Sequence, residues 1–313
     1  MEETSNQIVS VVLTSCGAQN YLWDCLDSLK AQAFRDFELI LIDNSADQGL
    51  AFRAEREFPG IKVHSPAGGY SFCQSLNLGI NKSRGKFILC LNDDVVLDKN
   101  FIAEALKGFS KEDTIGMVSG KILRRDGKTI DSAGLFLSFW RTAKERGYGK
   151  KDIGSFEKEE CVFGVNGAAA FYRKSMLDQV IINREYFDPE FGFFYEDLDL
   201  SWRAQRLGWK AYYLPQAIAY HSRGGTLRSG KGAGKPHARN YLNDDLLCDL
   251  VKNRYLAIIR NESCLGFLLH LPGNLLYDLF VWGYLLIFRP QVIRKIILKR
   301  QCLLFAFKLR LEE

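Results

Sequence analysis

Residues Lys86-Phe-Ile-Leu-Cys-Leu-Asn-Asp-Asp-Val-Val-Leu97 constrain the fold more than any other stretch of this chain. An apolar run of this length, entered from Gly85 and carrying Asn92, Asp93 and Asp94 toward its end, has the signature of a central strand in a parallel sheet. In open α/β sheets, ligands collect beyond the carboxyl ends of such strands. Adjacent carboxylates repel unless they hold a cation. Oxygen donors of this kind suit Mg2+ or Mn2+, which would in turn hold a diphosphate. The other reading of the same residues is that Asp93 and Asp94 only cap the turn before a helix beginning near Lys99.

Upstream, residues 8–13 are apolar and β-branched and end at Thr14-Ser15, which predicts a first strand and a loop. Residues 20–33 place Leu22, Cys25, Leu26 and Leu29 on one helical face. A second strand over 37–42 delivers Asp43-Asn44-Ser45. A helix over 47–58 stops at Pro59-Gly60, residues 61–64 make a short strand, and the Gly68-Gly69-Tyr70 turn opens a helix to about residue 82. This alternation predicts a doubly wound, parallel sheet with Asp43 and Asp94 on one carboxyl edge.

Downstream, residues 99–109 read as a helix, 115–119 as a strand and Asp126-Gly127 as a hairpin turn. Residues 141–160 are charged and contain glycine, and they read as a loop over the sheet. The small apolar segment 161–172 contains Asn166 and Gly167; its glycines permit close backbone approach, either as the floor of an acceptor pocket or as tight packing. An aromatic-rich stretch ending at Tyr195 leads into Glu196-Asp197-Leu198-Asp199 at the start of a helix over 197–207, where acids also suit the helix dipole. Two strands, 209–214 and 217–220, follow, and the second delivers His221. Residues 222–236 are glycine-rich and basic, and Arg223, Arg228 and Lys231 could close on a phosphate. The G-x-x-x-x-G-K match in this loop is not a P-loop, because Gly232 stands where a Ser or Thr would bind Mg2+.

At 313 residues the chain can bury one large α/β core or two lobes. Its eight cysteines include no C-x-x-C pair, which argues against a zinc site or a disulfide framework and for reduced residues of a cytoplasmic protein. The acidic, polar start is unlike a secretory signal. The net charge of +5 is small and local: no acid occurs between Asp278 and Glu312, whereas Arg289, Arg294, Lys295, Lys299, Arg300, Lys308 and Arg310 do. No nucleic-acid partner is expected. Residues 264–288 are apolar but interrupted by His270, Pro272-Gly273, Asn274 and Asp278, so two pieces packed at a surface are expected rather than one spanning helix. Followed by the basic tail, they predict an interfacial region at an anionic membrane surface, or a helical pair packed on the core or on a second subunit, as in a homodimer.

In their order and context, Asp43, Asn92-Asp93-Asp94, Glu196-Asp197 and His221 before a glycine-rich basic loop resemble the family 2 inverting glycosyltransferases of GT-A fold, in particular the bacterial rhamnosyltransferase-like branch. The resemblance spans roughly residues 8–260. It implies an α/β, Rossmann-like, mostly parallel central sheet flanked by helices, with a C-terminal helical extension. Residues 1–120 would be the nucleotide-sugar-binding half, 121–240 the acceptor and catalytic half, and 241–313 a helical region that meets the membrane. By the same resemblance Asp43 binds the nucleotide base, with Thr14, Ser15 and Asp93 beside the nucleotide. Asp94, Asn92 (an Asn where the D-x-D motif has its first Asp) and His221 would hold Mn2+ or Mg2+. Asp197 would be the general base, with Glu196 or Asp199 orienting substrate or helix; Arg223, Arg228 and Lys231 would close on the diphosphate, and Asn166, Gly167 and Tyr195 would line the acceptor.

The implied reaction moves a sugar, from dTDP-rhamnose or a UDP-sugar, to a saccharide or lipid-linked saccharide at the inner face of the cell membrane, in cell-surface polysaccharide synthesis. The acceptor hydroxyl must lose its proton as it attacks the anomeric carbon, so a base is wanted, while the metal stabilises the departing nucleoside diphosphate. Two other classes compete. A nucleotidyltransferase wants a Gly-rich, Lys/Arg-bearing signature after its first strand, which Thr14-Ser15-Cys16-Gly17 lacks; a catalytically idle carbohydrate-binding scaffold would not need Asp94 and Glu196-Asp197 intact.

Overall fold

In the computed structural model, which describes residues 8–16, 19–45, 47, 49–223 and 242–312, the chain opens as β1 (Val9–Ser15), α1 (Gln19–Lys30), β2 (Phe37–Asp43), α2 (Leu50–Glu57), β3 (Lys62–His64), α3 (Phe72–Lys82) and β4 (Phe87–Asn92). Strands β4-β1-β2-β3 lie in that spatial order and pair in parallel. Every residue of β1 is buried, as a strand covered on both faces requires. Its Val9, Val11 and Leu13 pack with Leu22 and Leu26 of α1, and Val12 on the other face packs with Leu76 and Ile80 of α3. The register sets Ser15 opposite Asp43 and Thr14 opposite Asn92. Polar ends of three neighbouring strands therefore form one row.

Beyond Asn92 the structure departs from a single strand to Leu97. Asp93 and Asp94 make a turn, and β5 (Val95–Leu97) leaves the parallel array. Because side chains alternate along a strand, a continuous one would drive a carboxylate into an apolar face; the turn carries both to the edge instead.

After α4 (Phe101–Phe109) come β6 (Ile115–Arg124) and β7 (Ile130–Ser132), which pair around the expected Asp126-Gly127 turn, with Gly127 at φ 64°. Then follow β8 (Leu135–Leu137), β9 (Ala143–Glu145), β10 (Glu160–Val162), β11 (Ala169–Arg173), α5 (Lys174–Gln179), a 3-10 turn (Pro189–Phe191), α6 (Glu196–Arg206) and β12 (Lys210–His221). The segment 141–160, expected as a loop, thus holds β9, paired with β8 in a separate hairpin. The two strands expected over 209–220 are one strand, whose register shift between Leu214 and Ile218 accommodates Pro215, a residue with no amide hydrogen to donate. β11 enters antiparallel between β4 and β6, and β12 runs parallel to β6 on its other side and antiparallel to β5.

Four helices complete the chain: α7 (Asp244–Asn261), α8 (Cys264–Phe288), α9 (Pro290–Leu298) and α10 (Arg300–Glu312). The two pieces expected over 264–288 are one continuous helix of 25 residues that runs through Pro272. Its polar interruptions have partners: Asn274 Oδ1 and Asp278 Oδ1 accept from the buried Arg254 of α7 at 2.9 and 2.7 Å. The basic tail is partly neutralised, because Arg289, Lys295 and Lys299 pair with Asp244, Asp245 and Asp249 of α7.

α7 also anchors the approach to α6. Phe194 and Tyr195 both take positive φ, 72° and 71°, a conformation costing roughly 1–3 kcal/mol for each non-glycine residue. The fully buried Asn253 shares its Nδ2 hydrogens among the carbonyls of Phe191, Phe193 and Phe194 at 2.6, 2.8 and 2.7 Å. Asn253→Ala should lower the free energy of unfolding by about 2–4 kcal/mol, since it strands buried carbonyls. Chemical denaturation would show this as a lower midpoint at unchanged slope, and an unchanged midpoint would show that the segment holds itself.

Candidate active site

The row of strand ends supplies the first group of polar residues. Asp43 is buried; its Oδ1 accepts from the Ser45 amide at 2.8 Å and its Oδ2 lies 3.5 Å from Ser65 Oγ. Asn44 ties the same loop to α3 and the turn before it through Ser75 Oγ at 2.6 Å and the Tyr70 amide at 3.1 Å. Ser15 Oγ donates to Asp93 Oδ2 at 2.7 Å. Burial pushes the Asp93 carboxyl up to about 6, with the Ser15 bond pulling it back and the Asp94 charge adding to the rise. Thr14, Ser15, Asp43 and Asp93 thus share one edge.

The turn at Asp94 meets the end of β12, where His221 sits opposite Val95 and the Ser222 amide donates to the Asp94 carbonyl at 3.0 Å. His221 Nε2 lies 3.3 Å from Asp94 Oδ1, and its Nδ1 lies 2.8 Å from Asp131 Oδ2. Asp131, on β7 and with no exposed surface, also accepts from Arg223 Nε at 2.5 Å. Sequence reasoning missed Asp131. It follows a hairpin turn without any local pattern, and only the pairing of β7 with β6 brings it beneath His221. Burial alone would lower the imidazole's pKa, but the bonds to Asp131 and Asp94 outweigh it and raise His221 to about 9. Burial would likewise raise Asp131, but the Arg223 and His221 charges hold it at about 2. Arg223 is committed to Asp131, and the other two basic residues expected to close on a diphosphate, Arg228 and Lys231, lie outside the described residues.

Among the described residues no three His, Cys, Asp or Glu side chains gather into a metal cage. However, Asn92 Oδ1 is buried without a hydrogen-bond partner. Asp94, His221 and Asn92 therefore suit an open cation site whose other positions come from phosphate oxygens and water, the mode in which Mg2+ is usually held. A metal ion there would displace the imidazole proton.

The second group surrounds the start of α6. Asp197 Oδ2 accepts from the Gly167 amide at 2.9 Å and its Oδ1 from the Leu198 amide at 2.7 Å. Burial raises Asp197 and these bonds pull it back, whereas burial and the Asp197 charge drive Glu196 well above the carboxylate range, and Glu196 Oε2 has no partner. Asp199 is structural: Arg203 Nε and Asn261 Nδ2 hold it at 2.9 and 2.7 Å. Tyr195 is buried, with its hydroxyl 3.4 Å from the Ala143 amide that donates to it. Asn166 Oδ1 accepts from the Ala168 amide at 2.8 Å, and its Nδ2 donates to Glu145 Oε1 at 2.5 Å. Glu145 lay in the stretch expected to be a loop and was also missed. The two groups join directly, because the Asn92 amide donates to the Ala168 carbonyl at 3.0 Å.

A family model described as Glycosyltransferase like family 2 matches residues 6–243. The chain belongs to that family. Over 221 residues it is 22% identical to a poly-beta-1,6-N-acetyl-D-glucosamine synthase of Staphylococcus epidermidis, and 20% identical to that of Staphylococcus aureus strain MW2. Each match covers 68% of this chain and 49% of the relative, so the chain spans about half the length of these curated relatives. Among solved structures, S. aureus TarS 1–349 in complex with UDP-GlcNAc superposes with a TM-score of 0.61 at 15% identity, covering 96% of this chain and 81% of that one. GalNAc-T7 with UDP, GalNAc and Mn2+ gives 0.61 at 16% identity, covering 80% and 48%. This glycosyltransferase-family chain has the GT-A fold, parallel through β4-β1-β2-β3 and mixed beyond it.

In the metal-free family 2 chain, His221 should be protonated at neutral pH. A raised histidine contributes its full stability below the unfolded-state pKa of about 6.5 and loses it as pH climbs through about 9. The contribution is at most on the order of 3 kcal/mol. Denaturation midpoints of the wild type should therefore fall over that interval relative to His221→Gln; parallel curves for the two proteins would refute the buried imidazolium.

Proposed function

We propose that this chain is a metal-dependent inverting glycosyltransferase that moves a sugar from a nucleoside diphosphate donor to a hydroxyl of a saccharide or lipid-linked saccharide, in cell-surface polysaccharide synthesis. One observation carries the reading. The Asp197 carboxylate is pinned by the Gly167 amide, and the next residue, Ala168, is bonded to Asn92, so a half-buried base and the Asn92-Asp93-Asp94 edge are held across one strand junction.

Asp43 is the residue for the nucleotide base, with Thr14, Ser15 and Asp93 alongside. Asp94, His221 and Asn92 would hold Mn2+ or Mg2+, which when bound supplies positive charge against the departing diphosphate. Asp197 takes the acceptor hydroxyl's proton as the oxygen attacks the anomeric carbon, and a single displacement inverts that centre. Its raised affinity for a proton suits a base working near neutral pH. Burial and the Asp197 charge favour the protonated form of Glu196, which leaves Asp197 as the base. UDP or UDP-GlcNAc bound to TarS and UDP bound to GalNAc-T7 support a nucleoside diphosphate donor and favour a UDP-sugar as much as the dTDP-rhamnose that the rhamnosyltransferase-like resemblance implies.

The C-terminal helices give the acceptor a place to come from. α8 is long and apolar enough to cross a membrane, and only 11% of its most apolar window is buried. Leu268, Leu269, Leu279, Phe280, Leu286 and Ile287 all stand exposed. With three of the seven basic residues of the tail spent on α7, this apolar face rather than charge is the main support for contact with the inner face of the membrane.

Melting temperature with UDP, dTDP, GDP and CMP, each with and without Mn2+, tests the donor site. One pyrimidine diphosphate should raise it in a metal-dependent way, by mass action on the native state, and Asp94→Ala should abolish the shift. Asp197→Asn should keep the shift and lose transfer by about 10^2- to 10^4-fold. Full transfer in Asp197→Asn, or no shift with any nucleotide, would sink the proposal, and the second outcome would point to an idle scaffold. Separately, the protein should sediment with phosphatidylglycerol-containing vesicles and a Leu279→Asp, Phe280→Asp double variant should not. Failure to bind vesicles together with concentration-dependent dimers would assign this face to a second copy.

A further inference from the structure

Glu145 is a half-buried acid for which the proposed chemistry has no use. It ends β9 and pairs across the hairpin with Leu135. Asn166 Nδ2 holds its Oε1 at 2.5 Å, while its Oε2 is sheltered from solvent with no donor in hydrogen-bonding position, the nearby Ser132 hydroxyl only tempering its charge. Leaving a carboxylate oxygen buried and unpaired is costly. Such an oxygen persists when a ligand supplies the missing donor. The preceding Lys144 is exposed, so the alternation along β9 turns Glu145 to the inner side of the hairpin. There it meets Asn166 and feels the charges of Arg223, Asp197 and Asp131.

We propose that Glu145 and Asn166 form an acceptor-hydroxyl clamp, in which Glu145 Oε2 accepts a hydrogen bond from a saccharide hydroxyl neighbouring the one that Asp197 deprotonates. The placement has a simple logic. Asn166 and Gly167 are consecutive, and each fixes one carboxylate: the Asn166 side chain holds Glu145, and the Gly167 amide holds Asp197 Oδ2 at 2.9 Å. Two acceptor groups tethered to neighbouring residues match two hydroxyls on neighbouring carbons of a pyranose. A site built to bond a hydroxyl rejects analogues that lack it far more strongly than an apolar pocket rejects an extra methylene. Glu145 would therefore set acceptor choice, whereas donor binding lies with the strand ends. Burial pushes Glu145 up to about 7, with Arg223 pulling it back and Asp197 pushing it further, so the carboxylate accepts more strongly as pH rises past neutral.

This inference rests on the glycosyltransferase reading, and the test separates the two. Wild type, Glu145→Gln and Glu145→Ala are compared for UDP-plus-Mn2+ thermal shift and for steady-state transfer from UDP-GlcNAc and dTDP-rhamnose to a panel of methyl glycosides. Glu145→Gln keeps the oxygen that Asn166 bonds. It should raise the acceptor KM by about tenfold, the loss of one hydrogen bond to a charged group, while kcat and the nucleotide shift stay near wild type. Glu145→Ala, which also frees Asn166, should lower kcat as well. An unchanged acceptor KM in Glu145→Gln overturns the clamp. A lost nucleotide shift in that variant does so too, by showing a purely structural role. Wild type that binds nucleotide yet accepts no glycoside overturns the clamp while sparing the donor site; wild type that shows no nucleotide shift overturns the glycosyltransferase reading itself, and the clamp with it.

Discussion

A carboxylate with no exposed surface must be surrounded by positive charge, and Asp131 is such a group. His221 meets one of its oxygens and Arg223 the other. Because both partners come from the end of β12, Asp131 fastens that strand end beneath the turn at Asp94. It also fixes the imidazole so that Nε2, not Nδ1, faces Asp94. Remove the anion and two cations would be left facing each other in a dry setting, and Arg223, whose charge also tempers the burial of Glu145 and Asp197, would lose the partner that positions it. The order of charges, Asp94, His221, Asp131, Arg223, is thus one device contributed by three separate segments.

What the sequence made legible was local and periodic. The β-α alternation to residue 92, the placing of Asp43 and Asp94 at strand ends, and the carboxylates opening α6 all follow from patterns within a dozen residues. What it hid depends on pairings across long separations. Asp131 and Glu145 acquire meaning only when β7 folds back on β6 and the β8–β9 hairpin turns Glu145 toward Asn166. Periodicity also failed where chemistry interrupts it. The turn at Asp93-Asp94 splits what read as one strand, because two adjacent carboxylates cannot both avoid the core along a straight strand. Conversely, 209–214 and 217–220 read as two strands although a register shift carries a single strand past Pro215.

The C-terminal helices show the same limit from the other side. His270, Pro272, Asn274 and Asp278 looked like interruptions because their partners were out of view. Arg254, buried on α7, takes both Asn274 and Asp278 and also donates to the Trp140 carbonyl at 3.0 Å from Nε. His270 Nδ1 lies 3.1 Å from the Phe139 carbonyl. The polar residues of α8 therefore form its inner seam, and the leucines and phenylalanines left over form its outer face.

That seam fastens more than a helix. Phe139 and Trp140 are the tip of the β8–β9 hairpin, and Gly273 is where Phe139 lies so close to α8 that a Cβ would fall 2.4 Å from its ring. The same hairpin carries Ala143, next to the tip, whose amide meets the Tyr195 hydroxyl, and at its far end Glu145. Asn253 of α7 meanwhile holds the carbonyls that precede Tyr195 and α6. Two helices thus brace both segments that flank Asp197, one through the hairpin and the other through the strained turn before α6. The exposed face of α8 belongs to the same braced unit, so whatever surface it rests on fixes the orientation of Asp197 and Glu145.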